Sequence, residues 1–144
     1  MDIYKVAADG SALASDEIEA ALSESIKGRK LKNVLIIPPD FTRYHSGAGQ
    51  ITVFYYKMLT SMGVEVDILP ALGTHEKVSE SQWNIMFKGI PYEKMLVHDW
   101  RNDVVKLGEV PSEFVSEVTE GLWKESVDVE VNRLIMDEKY DLII

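Results

Sequence analysis

The sequence predicts an α/β domain with a mostly parallel sheet, built from Rossmann-like β-loop-α units with helices on both faces. An apolar run at residues 33–37 and the segment 64–69, which ends at Pro70, have the length of strands, and segments with helical spacing of apolar residues alternate with them. After Gly108 the pattern changes to short segments separated by turn residues. This change predicts additional antiparallel strands near the C-terminus.

The first two helices are predicted from their apolar periodicity. Residues 15–26 place apolar side chains on one helix face, Ser15 or Asp16 is predicted to cap the amino end, and Gly28 suits the carboxyl end. Residues 47–61 repeat the helical spacing after the first strand. Each of these helices therefore flanks a predicted strand, as a β-loop-α unit requires.

The third helix has the clearest local signature. Ser79 and Gln82 have the spacing of a capping box, in which each side chain satisfies the backbone N–H of the other residue. Val78 and Trp83 stand where a hydrophobic staple would pack, and Gly89 is placed to close the helix. The sequence therefore predicts a short helix that begins directly after Ser79.

The remaining elements are predicted from shorter runs. We expect strands at residues 94–98, 104–107, 114–119 and 127–131, a short helix within residues 132–140, and a last strand from residue 141. The final residues look like the start of a buried strand, so residues 1–144 are expected to form one domain and to be a fragment of a longer protein.

Composition limits the classes of partner. The chain has 144 residues, 46% of them hydrophobic, and a formal net charge of -9, so it can form a core but is expected to bind neither nucleic acid nor a membrane. It has no cysteine, which excludes disulfides and thiolate chemistry and is compatible with a cytoplasmic location. A small anionic substrate is still possible, because one arginine in a pocket can outweigh a distant surface field.

A polar loop after the first strand is the first candidate site. Pro38 and Pro39 end the strand, and Asp40, Thr42 and Arg43 follow. The planar guanidinium of Arg43 could donate two parallel hydrogen bonds to one carboxylate, and Asp40 could orient that arginine or a neighbouring imidazole. The alternative is a local Asp40–Arg43 pair in which Asp40 only caps the turn.

A second polar loop, with Gly73, Thr74 and His75, follows the next strand. The carboxyl ends of neighbouring parallel strands lie at one edge of a sheet, so we expect His75 near Arg43. An imidazole titrates near neutral pH, so His75 is a candidate general base. The alternative is a histidine that only forms a hydrogen bond in a turn.

Two further features have weaker signals. His45 and Ser46 could extend the site or simply precede a helix whose start, near Gly47, could contact an anion. His98 stands at the end of a predicted strand and raises the question of a metal held by all three histidines, His45, His75 and His98. Their spacing matches no local zinc motif, so no metal ligand is predicted in this chain.

These motifs, taken in order, resemble the N-terminal domain of the nickel-pincer lactate racemase family. The resemblance rests on the segments 39–43, 71–75, 98–99 and 131–133, and extends from about residue 30 to residue 144. It implies an enzyme, an isomerase that racemises or epimerises 2-hydroxy acids by proton-coupled hydride transfer. It also implies a cofactor, a nickel-bound pyridinium mononucleotide with sulfur ligands.

The resemblance assigns roles to individual residues. His75 matches one of two catalytic histidines, and Arg43 matches the arginine that binds the substrate carboxylate. The remaining expected site residues are, for substrate, Asp40, Thr42, Tyr44 and His45, and, for the cofactor, Gly73 and Thr74. The second histidine, the cofactor-bearing lysine and the nickel ligand belong to a later part of the family's chain, which continues into a second α/β domain. The resemblance therefore implies that residues 1–144 are the N-terminal domain of a larger two-domain enzyme. By itself this chain is therefore expected to be inactive and to bind no cofactor.

The chain also departs from the lactate racemase motifs, in which proline usually follows both the arginine and the histidine. Tyr44 follows Arg43 here, and Glu76 follows His75. The more polar loop suggests a larger or more polar substrate than lactate, such as a sugar acid. Two alternatives are a non-catalytic α/β module that binds a small carboxylate or phosphate, and a metal-dependent hydrolase that uses the three histidines.

Overall fold

The computed structural model describes residues 3–144 and consists of a parallel sheet with helices and a separate antiparallel ribbon. The parallel sheet has the order β2-β1-β5, from strands β1 (Asn33–Ile36), β2 (Glu65–Ile68) and β5 (Leu142–Ile143). The ribbon pairs β3 (Val104–Val110) with β4 (Val127–Asn132). The predicted α/β class with added antiparallel strands is confirmed.

The helices of the first half begin and end close to their predicted positions. They are α1 (Ser15–Ile26), α2 (Ala48–Ser61) and α3 (Glu80–Met86). The capping box of α3 is present, with Ser79 N–H donating to Gln82 Oε1 at 2.9 Å and Gln82 N–H donating to Ser79 Oγ at 3.3 Å. The predicted cap of α1 is wrong, because the Glu17 carboxylate accepts the N–H of Ala14 instead.

The core lies between the parallel sheet and the helices. Strands β1 and β2 are almost wholly buried in their apolar positions, as a parallel sheet requires. Trp83 and Phe87 are fully buried, with ring centroids 4.7 Å apart, and the Trp83 indole N–H donates to the carbonyl of Ile90 at 2.8 Å. The buried aromatic pair fixes α3 against the sheet and so fixes the loop that precedes it.

Two predicted strands are wrong. Residues 94–98 form only one bridge, between Met95 and Ile68. The backbone N–H groups of Lys94 and Met95 donate within the 3₁₀ turn Tyr92–Lys94 and are not available to a strand. Residues 114–119 lie mostly in a helix, α4 (Ser112–Val118), which begins after Pro111. Their apolar residues also fit helical spacing, and Val115 is the buried residue of that helix.

The ribbon corrects a further expectation. Residues 104–107 are not a fourth parallel strand, since β3 runs antiparallel to β4 with a bulge between Lys106 and Gly108. The short helix expected within residues 132–140 is limited to a 3₁₀ turn over Arg133–Met136. The chain then returns to the parallel sheet, where β5 pairs with β1. This return places the end of β4 beside the carboxyl edge of β1 and β2.

Candidate functional site

The backbone brings the two polar loops together at the carboxyl edge of the sheet. Beyond β1 and β2, a bridge between Pro39 and Ala71 keeps the register of the Ile36–Ile68 pair, and the Ala71 N–H donates to the carbonyl of Pro38 at 2.8 Å. Asp40 directly follows Pro39 in this bridge, so the loop after Ala71 is held beside Asp40. The expected proximity of the loops follows from this register.

Asp40 is the buried centre of the site, with 6% of its surface exposed. Its Oδ1 accepts hydrogen bonds from the N–H of Thr42 at 3.0 Å and from the Thr42 hydroxyl at 2.5 Å. Its Oδ2 lies 2.5 Å from Nδ1 of His75. Asp40 thus caps the turn, as the structural alternative expected, but its ion-pair partner among residues 3–144 is His75 and not Arg43, so the expected local Asp40–Arg43 pair is wrong.

The surroundings of Asp40 favour its ionised form. Burial raises the pKa of this carboxyl, but hydrogen bonds from the Thr42 side chain, His75 and the Thr42 backbone outweigh burial and hold the pKa below its usual range. An ionised carboxylate can only accept, so it is His75 Nδ1 that donates the proton of the shared hydrogen bond. In a neutral His75 ring, Nε2 then has the free lone pair.

His75 is accessible although its partner is buried. Its side chain is 59% exposed, against 8% for that of Asp40. The backbone turns tightly here, with Gly73 at φ 57° and the His75 N–H donating to the carbonyl of Leu72 at 2.9 Å. The arrangement presents an oriented imidazole to a ligand, which is the geometry of a general base.

Arg43 lies at a kink of the 3₁₀ turn that Asp40 caps. It is exposed, and within residues 3–144 its guanidinium has no acidic partner in ion-pair distance. Tyr44 stacks on Phe41 with ring centroids 5.7 Å apart. Arg43 is therefore available for an anion.

Tyr44 and His45 lie apart from the Asp40–His75 pair. They line a separate cavity of about 460 Å³, together with Gly47 and Lys88. Thr42 is expected to contact the substrate, but its hydroxyl donates a hydrogen bond to Asp40, so that proton is not available to a substrate. The structure therefore groups Asp40, Thr42 and His75 and places Tyr44 and His45 elsewhere.

Gly73 and Thr74 line a cleft at this edge, which has a volume of about 470 Å³. Further lining residues come from the segment after Met95 and from the end of β4; they include His98, Trp100 and Asn132. Sequence reasoning gave Trp100 and Asn132 no role. The signal that could have found Asn132 is its position in the 131–133 motif.

The three histidines are not grouped. His75 contacts Asp40, His98 contacts Asn132, and His45 lines the cavity beside Lys88. Among residues 3–144 no three His, Asp or Glu side chains are placed to hold a metal ion together. The three-histidine hydrolase required these side chains within a few Å of one another, so that alternative is wrong.

The helices described within residues 3–144 include none with the length and hydropathy of a membrane span.

Comparison with known proteins places these features in a family. A protein of Thermotoga maritima with a known crystal structure matches with a TM-score of 0.80 and 29% identity, over 95% of this chain and 34% of that one. The lactate racemase apoprotein from Thermoanaerobacterium thermosaccharolyticum matches in fold with a TM-score of 0.57 and 24% identity, over 85% of this chain and 26% of that one. The chain thus spans about a third or less of these structures. A comparison with curated protein sequences found no match.

The family model described as the lactate racemase N-terminal domain matches residues 6–144, almost the whole chain. The resemblance drawn from the loop motifs is thereby confirmed. The match includes both polar loops and the ribbon that closes the cleft. This chain belongs to the lactate racemase N-terminal domain family.

Proposed function

We propose that this chain supplies half of the active site of a racemase or epimerase of 2-hydroxy acids. The observation that supports the proposal most directly is the hydrogen bond between the ionised Asp40 and His75 at the carboxyl edge of the sheet. Membership of the lactate racemase N-terminal domain family supports the same class of reaction. The other half of the site would come from polypeptide outside this chain.

His75 would move the proton of the substrate hydroxyl. With Nδ1 donating to Asp40, the free lone pair of Nε2 can take the hydroxyl proton and later return it. Asp40 orients the ring and stabilises the imidazolium that forms, while Thr42 holds Asp40 in place from its other oxygen. The three residues would act as one unit, although only His75 is exposed enough to meet the substrate.

Arg43 would bind the substrate carboxylate. Its guanidinium is exposed and lacks an acidic partner within residues 3–144, so binding would not require breaking an existing ion pair. A planar fork can hold both carboxylate oxygens in one plane. We propose that the substrate is a more polar acid than lactate, such as a sugar acid, because Tyr44 and Glu76 follow Arg43 and His75 where the family usually has proline.

The cleft beside Gly73 and Thr74 fits the flat part of the nickel-pincer cofactor that the family implies. It lies next to His75 and has largely aliphatic and aromatic walls. When bound, this cofactor supplies the acceptor and donor of a hydride. The lining has no lysine, and residues 3–144 have no cluster placed to hold a metal, so covalent attachment and nickel binding are assigned to the remainder of the protein.

The test is the His75→Ala variant of the full-length protein. Loss of a general base lowers turnover by about 10²–10⁴-fold, while the free energy of unfolding falls by only about 1–2 kcal/mol, because the lost hydrogen bond to Asp40 is charged but its imidazole is mostly exposed. Racemisation of lactate and of aldonic acids is followed by polarimetry. Lys77→Ala, an exposed change in the same loop, is the matched control and leaves turnover unchanged.

Two results would contradict the proposal in different ways. Retained turnover with a large loss of stability in His75→Ala would mean that the histidine is structural. Strong turnover of lactate with none of any sugar acid would remove the assignment of the substrate but leave the reaction class. Binding of 2-hydroxy acids with no turnover by the wild type would favour the non-catalytic binding module.

A further inference from the structure

The connection between β3 and β4 exposes much of the apolar surface of the molecule. Within residues 3–144, eight of the eighteen large apolar side chains that are exposed lie in the segment from Val105 to Val129. Exposed apolar surface concentrated in this way is typical of a protein–protein contact. The apolar patch is defined as Phe114, Val118, Leu122, Trp123, Val127 and Val129, which are 40–89% exposed.

The ribbon contributes one apolar face to this patch. Val127 and Val129 alternate with Asp128 along β4, so the two valines point to one face of the ribbon and Asp128 points to the other. Lys106 lies on the charged face, because its Nζ is 2.6 Å from Asp128 Oδ1 and 3.2 Å from Glu109 Oε2. A two-stranded ribbon with an exposed apolar face is only marginally stable in water, so a partner on this face would stabilise it.

Helix α4 and the turn after it contribute the rest of the patch, at the end of the ribbon where β4 begins. Phe114 and Val118 are four residues apart and are therefore neighbours on one helix face. The Thr119 Oγ1 accepts the N–H of Trp123 at 3.1 Å and donates to the carbonyl of Val115 at 2.7 Å. These bonds hold the exposed turn in place, so a partner would not have to order it on binding.

Carboxylates accompany the patch. Residues 105–130 contain seven acidic residues and two lysines, a net charge of -5. One of the lysines, Lys106, is already paired with acidic side chains. Five exposed carboxylates of the segment form no ion pair within residues 3–144; they belong to Glu113, Glu117, Glu120, Glu125 and Glu130. The apolar surface therefore lies in a region of negative potential.

This charge selects among the possible occupants of the patch. A second copy of the chain, a nucleic acid or an anionic membrane would each bring further negative charge to the unpaired carboxylates. A cationic strand fits poorly, because alternate residues of a strand point away from the surface that it contacts. An amphipathic helix can place an apolar stripe on the patch and cationic side chains beside that stripe, where the carboxylates are.

From these features we infer that the apolar patch and its carboxylates bind a basic amphipathic helix of a partner protein. The patch is formed by β4, α4 and the turn between them, whereas the proposed reaction uses the loops that carry Asp40 and His75. The inference therefore goes beyond the proposed function, and it can fail without affecting that function.

The first measurement tests whether the patch is open in the full-length protein. Quenching of tryptophan fluorescence by acrylamide, compared between wild type and Trp123→Phe, should show that the Trp123 indole is accessible. A shielded indole in a monomer would mean that the remainder of the polypeptide covers the patch. Self-association in analytical ultracentrifugation that Phe114→Ala weakens would mean that a second copy covers it. Either result would overturn the inference.

The second measurement compares two labelled helical peptides of about 18 residues, or about five helical turns, by fluorescence anisotropy with the full-length protein. Both peptides have leucine on one helix face; the first has lysine at its other positions and the second has glutamate. The lysine peptide should bind at least about 10-fold more tightly, because several charge pairs change sign between the two. Raising the salt concentration should weaken its binding, since exposed charges are screened.

Matched variants separate binding at the patch from general attraction to an acidic protein. Phe114→Ala should weaken binding of the lysine peptide by about 5-fold to 30-fold, the usual effect of truncating an aromatic anchor. Met62→Ala, at the end of α2, is the control, because Met62 and Phe114 are both 56% exposed, and it should leave the affinity unchanged. Circular dichroism checks the fold, and Trp123→Ser takes the place of Phe114→Ala if that variant does not fold.

The charge contribution has its own pair of variants. Glu113→Gln combined with Glu117→Gln should weaken the lysine peptide by about 3-fold to 10-fold. Glu80→Gln combined with Glu93→Gln removes the same charge from exposed carboxylates elsewhere in the molecule and should change the affinity by less than about 2-fold. No binding of the lysine peptide, equal affinity for the two peptides, or equal losses in the patch and control variants would each overturn the inference.

Discussion

Asp40→Asn separates the role of Asp40 in orienting His75 from its role in folding. The substitution keeps the shape of the side chain, and its amide oxygen can still accept both hydrogen bonds from Thr42. The amide nitrogen would then face His75 Nδ1 and donate to it, which moves the ring proton to Nε2 and removes the free lone pair. The proposed base is lost although His75 itself is intact.

The expected magnitudes differ for turnover and for stability. Turnover of the full-length protein should fall by about 10²–10⁴-fold, the usual contribution of a general base. The free energy of unfolding should fall by only about 1–2 kcal/mol, because the one altered hydrogen bond is charged but its imidazole is 59% exposed and screened by water. Polarimetry of a 2-hydroxy acid and urea unfolding give the two values.

Asp141→Asn is the matched control for this experiment. Asp141 is another carboxylate with a lowered pKa, held by the backbone N–H groups of Asn33 at 2.9 Å and Lys32 at 2.7 Å at the amino end of β1. Its substitution should leave turnover unchanged. If Asp40→Asn keeps turnover within about threefold of the wild type, or if ¹⁵N shifts still place the His75 proton on Nδ1, the reasoning about this pair is refuted.

Two further predictions concern stability. Because the pKa of Asp40 is lowered, its stabilising contribution is present above the ordinary carboxyl pKa of about 4 and is lost as pH falls through the lower folded value. In urea unfolding, the difference in free energy of unfolding between wild type and Asp40→Asn should therefore shrink below about pH 4. A difference that stays constant with pH would contradict this. Gly49→Ala should lower the free energy of unfolding by about 2 kcal/mol or more, because the new Cβ would clash with the backbone carbonyl oxygen of Met86. Gly108→Ala, with open space around it, is the control and should change the free energy of unfolding by less than about 0.5 kcal/mol.

Elements with strong local signals were predicted well from the sequence. The α3 capping box joins residues three apart, strand β1 is a continuous apolar run, and strand β2 alternates acidic with buried apolar residues before Pro70. Residues 114–119 were assigned wrongly because their apolar positions fit both a strand and a helix. What decided between them is the start of α4 after Pro111 and the burial of Val115, neither of which is a property of the segment alone.

The sequence by itself determined the residue types at the sheet edge and the order of the elements that present them, since strand ends, proline stops and helix caps are local. Tertiary structure alone decided the partners. Asp40 could have paired with Arg43 three residues away, but the register of β1 and β2 brings His75 to its buried oxygen. The contact between His98 and Asn132 likewise exists only because the ribbon returns to the carboxyl edge of the sheet. Such contacts join residues more than thirty positions apart, and packing of the whole chain selects them.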